Sequence, residues 1–151
     1  MKDSLLNQNI AEVQISYSTK VPAKDRLQVK TSASAADALR LVYPGMEHKE
    51  YFYVLLLNRA NRILGYYQVS SGGLTGTVVD QRIVFQAAIK ANASSMILAH
   101  NHPSGQLIPS QADIDLTRKI KASGEIMDIP VLDHLIMTEE SYYSFADEGL
   151  L

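Results

Sequence analysis

SMILAHNHPSGQLIPSQAD, residues 95 to 113, runs from an apolar stretch into a polar, turn-rich loop and then into a helix-capping pattern. Ser95 to Ala99 has the length and apolarity of a short buried strand. Ser110 opens a helix that continues to about Ala122 and is ended by Gly124. Beyond it, Ile129 to Thr138 (IPVLDHLIMT) reads as another strand, followed by a short tail. Upstream, Asp80 caps a helix over Gln81 to Asn92, in which Val84, Ala87, Ala88 and Ala91 recur at the spacing of one buried face. Further back, Glu50 to Asn58 (EYFYVLLLN) is aromatic and apolar, Asn58 to Asn61 supplies turn residues, and Ile63 to Val69 is again aromatic. This is a β-hairpin with a long buried first strand. A corner rich in glycine (Gly72, Gly73, Gly76) follows it. Strands interleaved with single helices predict an α/β layered domain, with the polar loop at the carboxyl end of a strand, where such folds place their sites.

Toward the amino terminus the pattern weakens. Residues 1 to 31 are more polar and are expected to form an arm with one strand around Ile10 to Tyr17. Ser34 and Asp37 form a Ser-x-x-Asp capping pattern, and the helix ADALRLVY is ended by Pro44-Gly45. The domain proper is therefore expected over residues 32 to 151. A chain of 151 residues with 46% apolar and 20% charged side chains has the balance of one globular domain. No apolar run approaches the roughly 20 residues of a membrane span, and an acidic residue follows the start where a signal peptide carries basic ones. The expected location is cytoplasmic, with no membrane partner. Cysteine is absent, which excludes disulfides and thiolate chemistry and leaves His and carboxylates as metal ligands. The net charge of -2 comes with scattered basic residues, so binding to nucleic acid is possible but not favoured.

Of the four histidines, His100 and His102 directly follow a buried strand. In extended backbone, residues i and i+2 project to the same side, and Pro103 keeps His102 out of the helical region. Both imidazoles then face one way and Asn101 the other. The chain returns through Gly105 and Pro109 to a helix whose first turn carries Asp113. Asp115, two positions on, faces elsewhere. Two His and one Asp suit zinc and leave a fourth position for water, the mark of a catalytic site. A plainer alternative makes the histidines hydrogen-bonding members of a rigid loop, and Ser110 with Asp113 is a good capping box without any metal. The convergence of these features on one loop favours one metal ion per chain. A general base is also needed, and spacing does not select among Glu47, Glu50, Glu125, Glu139, Glu140 and Glu148.

The run His-x-His, seven residues, Ser-x-x-Asp (His100, His102, Ser110, Asp113) resembles the JAMM motif of the JAB/MPN metalloprotease superfamily, and HNHPSG...PSQAD resembles its RadC-like branch. EYFYVLLLN, SSGGLTG, Asp133-His134 and the ending YYSFADEG extend the likeness over about residues 32 to 151. Residues 1 to 31 show no comparable resemblance. Where that branch often reads Pro-Arg-Glu before the second helix, this chain has Gln81-Arg82-Ile83, so only Arg82 fits.

The resemblance implies a single layered domain of the cytidine-deaminase-like type, a mixed β-sheet flanked by helices. It implies a Zn2+ ion on His100, His102 and Asp113, Glu50 as the catalytic base and Ser110 as the residue stabilising the oxyanion. The expected activity is zinc-dependent hydrolysis of peptide or isopeptide bonds in a peptide or protein substrate, with a DNA-repair or DNA-associated accessory role as the alternative. His134 reads as a satisfied structural residue, whereas Asp133 is a candidate to hydrogen-bond a ligand imidazole. Arg82 is expected to pair with a neighbouring Asp. The sequence leaves the substrate and the oligomeric state open.

Overall fold

A computed structural model describes residues 10 to 72 and 78 to 151. Strands β1 (Tyr51–Leu57) and β2 (Ile63–Ser71) form the hairpin, joined through a turn in which Asn61 takes a positive φ of 56°. Helix α1 (Ser32–Arg40) precedes them. Helix α2 (Gln81–Lys90), strand β3 (Ser95–Asn101), helix α3 (Gln111–Ile126), and strands β4 (Val131–Met137) and β5 (Tyr142–Ser144) complete the chain.

The five strands lie in the order β2-β1-β3-β4-β5. β3 and β4 are parallel, whereas the β1–β2, β1–β3 and β4–β5 pairs are antiparallel. The sheet is therefore mixed, and helices cover both faces. Alternation along each strand divides the core. Phe52, Val54, Leu56, Met96 and Leu98 pack under Val84, Phe85 and Ala88 of α2 and Ile120 of α3. The opposite parity, Tyr53, Leu55, Leu57, Ile97, Ala99, Leu135 and Met137, packs on Ala35, Ala36 and Leu39 of α1. All of β3 is buried, which explains why its sequence reads as a continuous apolar run instead of an alternating one.

Several boundaries differ from the sequence expectations. No strand forms over Ile10 to Tyr17: Ile10, Val13 and Ile15 are exposed, and the ordered tie in this stretch is the Tyr17 hydroxyl donating to the Leu64 carbonyl at 2.8 Å. Helix α1 begins earlier, with Thr31 as its N-cap and Ser34 as the reciprocal member of the capping box, while Asp37 pairs with Arg40. It ends at Arg40, ahead of Pro44-Gly45, and α2 stops at Lys90, before Asn92 at φ 55°.

Helix α3 runs through Gly124 to Ile126. Gly124 serves a close approach and not a stop, because a Cβ there would lie 2.6 Å from the Ile129 carbonyl oxygen. β3 extends beyond Ala99 to include His100 and Asn101. The supposed tail contains β5. Of the glycine corner, Gly72 is described and donates its N–H to the Glu50 carbonyl at 2.8 Å; Gly73 and Gly76 lie outside the described residues. Among the described residues no helix is long and apolar enough to cross a membrane.

Candidate metal centre

β3 ends inside the site. Its alternation directs His100 to the α2/α3 side, and the next residue on that side is His102, whose N–H still bonds to Met137 on β4 at 3.1 Å. The Nε2 atoms of His100 and His102 are 2.9 Å apart. The chain then turns at Gly105, φ 80°, and the Gln106 carbonyl accepts from Nδ1 of His102 at 2.8 Å. That bond puts the His102 proton on Nδ1 and leaves Nε2 as a bare lone pair.

Ser110 starts α3 with a reciprocal cap: its Oγ accepts from Asp113 N at 3.0 Å, and its own N–H donates to Asp113 Oδ2 at 2.8 Å. The cap holds Asp113 so that Oδ1 lies 3.3 Å from His100 Nε2 and Oδ2 lies 3.4 Å from His102 Nε2. Because the Ser110 hydroxyl only accepts at the cap, its proton is left to donate. The cap and a role toward substrate therefore do not compete for the same feature of the side chain. Asp115 faces away, accepting from the exposed Gln111 amide at 2.9 Å.

Glu50, half-buried just before β1, closes the group: its carboxylate lies with the ring nitrogens of His100 and His102 such that all three donor atoms fall within 4.8 Å of one another. Two carboxylates thus approach the imidazole pair. Asp113 lies beside both rings and is fixed by a capping box, whereas the three donor atoms within 4.8 Å of one another belong to Glu50, His100 and His102.

The electrostatics separate the two. Burial alone would raise the Asp113 carboxyl, but the His100 and His102 rings, which in their protonated form would donate to it, overrule that and hold the carboxyl well below the usual range. Burial raises Glu50, opposed by the same histidines. His102 is raised, chiefly because the Asp113 carboxylate beside its Nε2 favours the protonated ring. Nitrogen lone pairs and carboxylate oxygens converging on one small volume could share a cation, and this donor set fits a zinc-like ion.

Sequence reasoning missed Asn101. It is wholly buried on the opposite face from the histidines. Its Oδ1 accepts from Tyr51 N at 2.7 Å, and its Nδ2 donates to the Met46 and Lys49 carbonyls at 2.8 and 2.9 Å. It thereby pins the segment that carries Glu50. A buried amide between two histidines was the available signal.

Asp133 does not approach a ligand imidazole. Its carboxylate points to the α1 side, accepting from Ser144 Oγ at 2.6 Å and Ala146 N at 3.0 Å. The residue that contacts His100 is His134, Nε2 to Nδ1 at 2.7 Å, and burial drives the His134 pKa well below its ordinary value. Arg82 forms an exposed ion pair with Asp80 at 2.8 Å. Phe145 is buried against His134, and Tyr143 packs edge-on to Phe145. Of the other glutamates, Glu47, Glu139 and Glu140 line a cleft of about 500 Å³ beside His102, with Pro103, Ser104 and Gly105. Glu125 and Glu148 are exposed elsewhere.

A family model described as "RadC-like JAB domain" matches residues 29–150. A protein from Flavobacterium johnsoniae named "UPF0758 protein" is 49% identical over 131 residues, 85% of this chain and 57% of its own length. One of the same name from Pelobacter propionicus is 50% identical over 103 residues, 68% of this chain and 45% of its own length. A Thermosynechococcus vestitus relative is 49% identical over 115 residues, 76% of this chain and 45% of its own. The chain spans about half the length of the curated relatives it matches.

Proposed function

The chain belongs to the RadC-like JAB domain family, and from that premise and its donor geometry we propose that it is a zinc-dependent hydrolase of peptide or isopeptide bonds. The observation that carries the reading is the pair of imidazole Nε2 atoms 2.9 Å apart, flanked by the Asp113 carboxylate on both rings and by Glu50. His100, His102 and Asp113 would hold the ion. When bound there, zinc supplies Lewis acidity and lowers the pKa of a coordinated water to roughly 7.

The chain's own groups supply the rest. Glu50 accepts the proton of the attacking water and delivers it to the leaving amine. The Ser110 hydroxyl, fixed by its cap, donates to the oxygen of the tetrahedral intermediate. Asn101 holds the Glu50 segment in place. Among the described residues the adjoining cleft carries three glutamates and no Lys or Arg, which suits a polypeptide better than a phosphate backbone.

The test is incubation of zinc-loaded protein with peptide and isopeptide libraries, with products read by mass spectrometry. Amide cleavage that disappears on chelation and returns with zinc supports the reading. A zinc-loaded protein that cleaves no amide bond in either library overturns it.

A further inference from the structure

Thr117 sits on α3 one turn after Asp113, buried, and its hydroxyl donates to the Asp113 carbonyl oxygen at 2.6 Å. A hydroxyl has a single proton to give. The 2.6 Å contact between Thr117 Oγ1 and His134 Nδ1 therefore runs the other way, with the imidazole donating. His134 is fully buried, its ring stacked on Phe145 at 4.7 Å and set edge-on to Phe52 at 5.6 Å. Such walls disfavour a second ring proton, so Nε2 of His134 is an acceptor. The 2.7 Å contact from His134 Nε2 to His100 Nδ1 must then be donated by His100. The proton of His100 lies on Nδ1 and its Nε2 is bare.

From this chain of bonds we infer that Thr117 and His134 are positioning residues that set the tautomer of His100 and aim its Nε2 lone pair at the metal position. The inference rests on the reading of His100 as a metal ligand. A ligating imidazole ordinarily gives its second N–H to a carboxylate, a carbonyl or water; here the acceptor is another imidazole, itself oriented by a hydroxyl. Asp113 and Thr117, four residues apart on one helix, contribute the ligand carboxylate and the terminus of the relay. The hydroxyl–carbonyl bond between them ties the two functions together.

Thr117→Val keeps the shape and removes the acceptor of the His134 Nδ1 proton. A buried N–H without a partner is costly. The relay escapes that cost by reversing: His134 becomes protonated on Nε2, His100 accepts at Nδ1, and the His100 proton moves to Nε2, where it obstructs metal binding. Thr117→Ser retains the hydroxyl and the original direction.

The experiment measures imidazole nitrogen resonances of the metal-free protein at a pH where the rings are neutral, and zinc affinity by competition with a chromophoric chelator. In the wild type, His100 and His134 are both expected to carry the proton on Nδ1. In Thr117→Val both tautomers reverse and zinc binding weakens about 10- to 100-fold, while Thr117→Ser matches the wild type. A wild-type His100 protonated on Nε2 overturns the inference, whether or not the Val variant folds. So does a folded Val variant with unchanged tautomers and unchanged affinity. A wild type that shows the expected tautomers and binds zinc yet cleaves no amide supports the inference and overturns the hydrolase reading instead, whereas one that binds no zinc overturns both.

Discussion

Phe52 on β1 lies directly opposite His100 on β3, and the two rings stack within 6° of parallel. Because the pairing is antiparallel, the residue two before Phe52 and the residue two after His100 fall on the same side of the sheet. Those residues are Glu50 and His102. One register thus brings the candidate base to the candidate ligands, and α3 then delivers Asp113 from above.

Glu50 and Asp113 both approach the imidazoles, and substitution separates their roles. Glu50→Gln is expected to bind zinc within a few-fold of wild type and to lose hydrolysis by roughly 10²- to 10⁴-fold. Asp113→Ala is expected to lose the metal itself. Zinc content after dialysis and amide cleavage, measured together, check both. Loss of zinc from Glu50→Gln would make Glu50 a ligand.

The Ser110 cap and its free hydroxyl proton are separable too. Ser110→Ala is expected to cost about 1 kcal/mol of stability through the lost cap and about 10²- to 10³-fold in turnover. Ser110→Asp keeps a capping oxygen, so its stability should stay near wild type while turnover remains low. Urea unfolding and kinetics on the two variants distinguish the roles.

Asp133 provides a pH test remote from the metal. Burial raises its carboxyl, opposed by the hydrogen bonds from Ser144, Ala146 and His134. A raised folded pKa means the native state binds more protons than the unfolded one, so this group's contribution to stability is present at low pH and is lost as pH rises through the folded value. Asp133→Asn mimics the protonated form: its oxygen can accept from His134 N and Ala146 N, and its amide can donate to Ser144 Oγ. Its stability relative to wild type should increase as pH rises above the ordinary carboxylate range. Urea midpoints across pH read this, and a difference that stays flat would contradict it.

Gly124 is a packing constraint. Gly124→Ala places a methyl 2.6 Å from the Ile129 carbonyl oxygen, which is backbone and cannot swing aside. A destabilisation of about 1–3 kcal/mol is expected, with zinc stoichiometry of the folded fraction unchanged. Denaturant titration beside metal analysis checks it.

The apolar runs of β1 and β3 announced central strands, and the turn residues around Pro103, Gly105 and Pro109 announced a loop returning to a helix. Those signals are local, which is why the order of elements was legible. The arm was not: Val13, Ile15 and Tyr17 alternate like a strand, yet a strand exists only where a neighbour pairs with it. Gly124 misled because a glycine near a helix end serves either a stop or a close approach, and only the packing of Ile129 distinguishes them. β5 was missed because three residues carry too little pattern. Asp133 and His134 are adjacent in sequence but face opposite sides of β4, so the residue that reaches His100 depended on a register that a single chain does not display. Asn101 was read correctly as facing away from the histidines, but its three partners come from a distant segment.

The most direct test of the central claim is the metal content of protein purified without added metal or chelator, compared with the His100→Ala, His102→Ala double variant. About one zinc per chain, lost in the double variant while its fold is retained, is the predicted result. No metal in either protein, even after zinc is supplied to the wild type, would contradict the metal centre and return the two histidines to a structural loop.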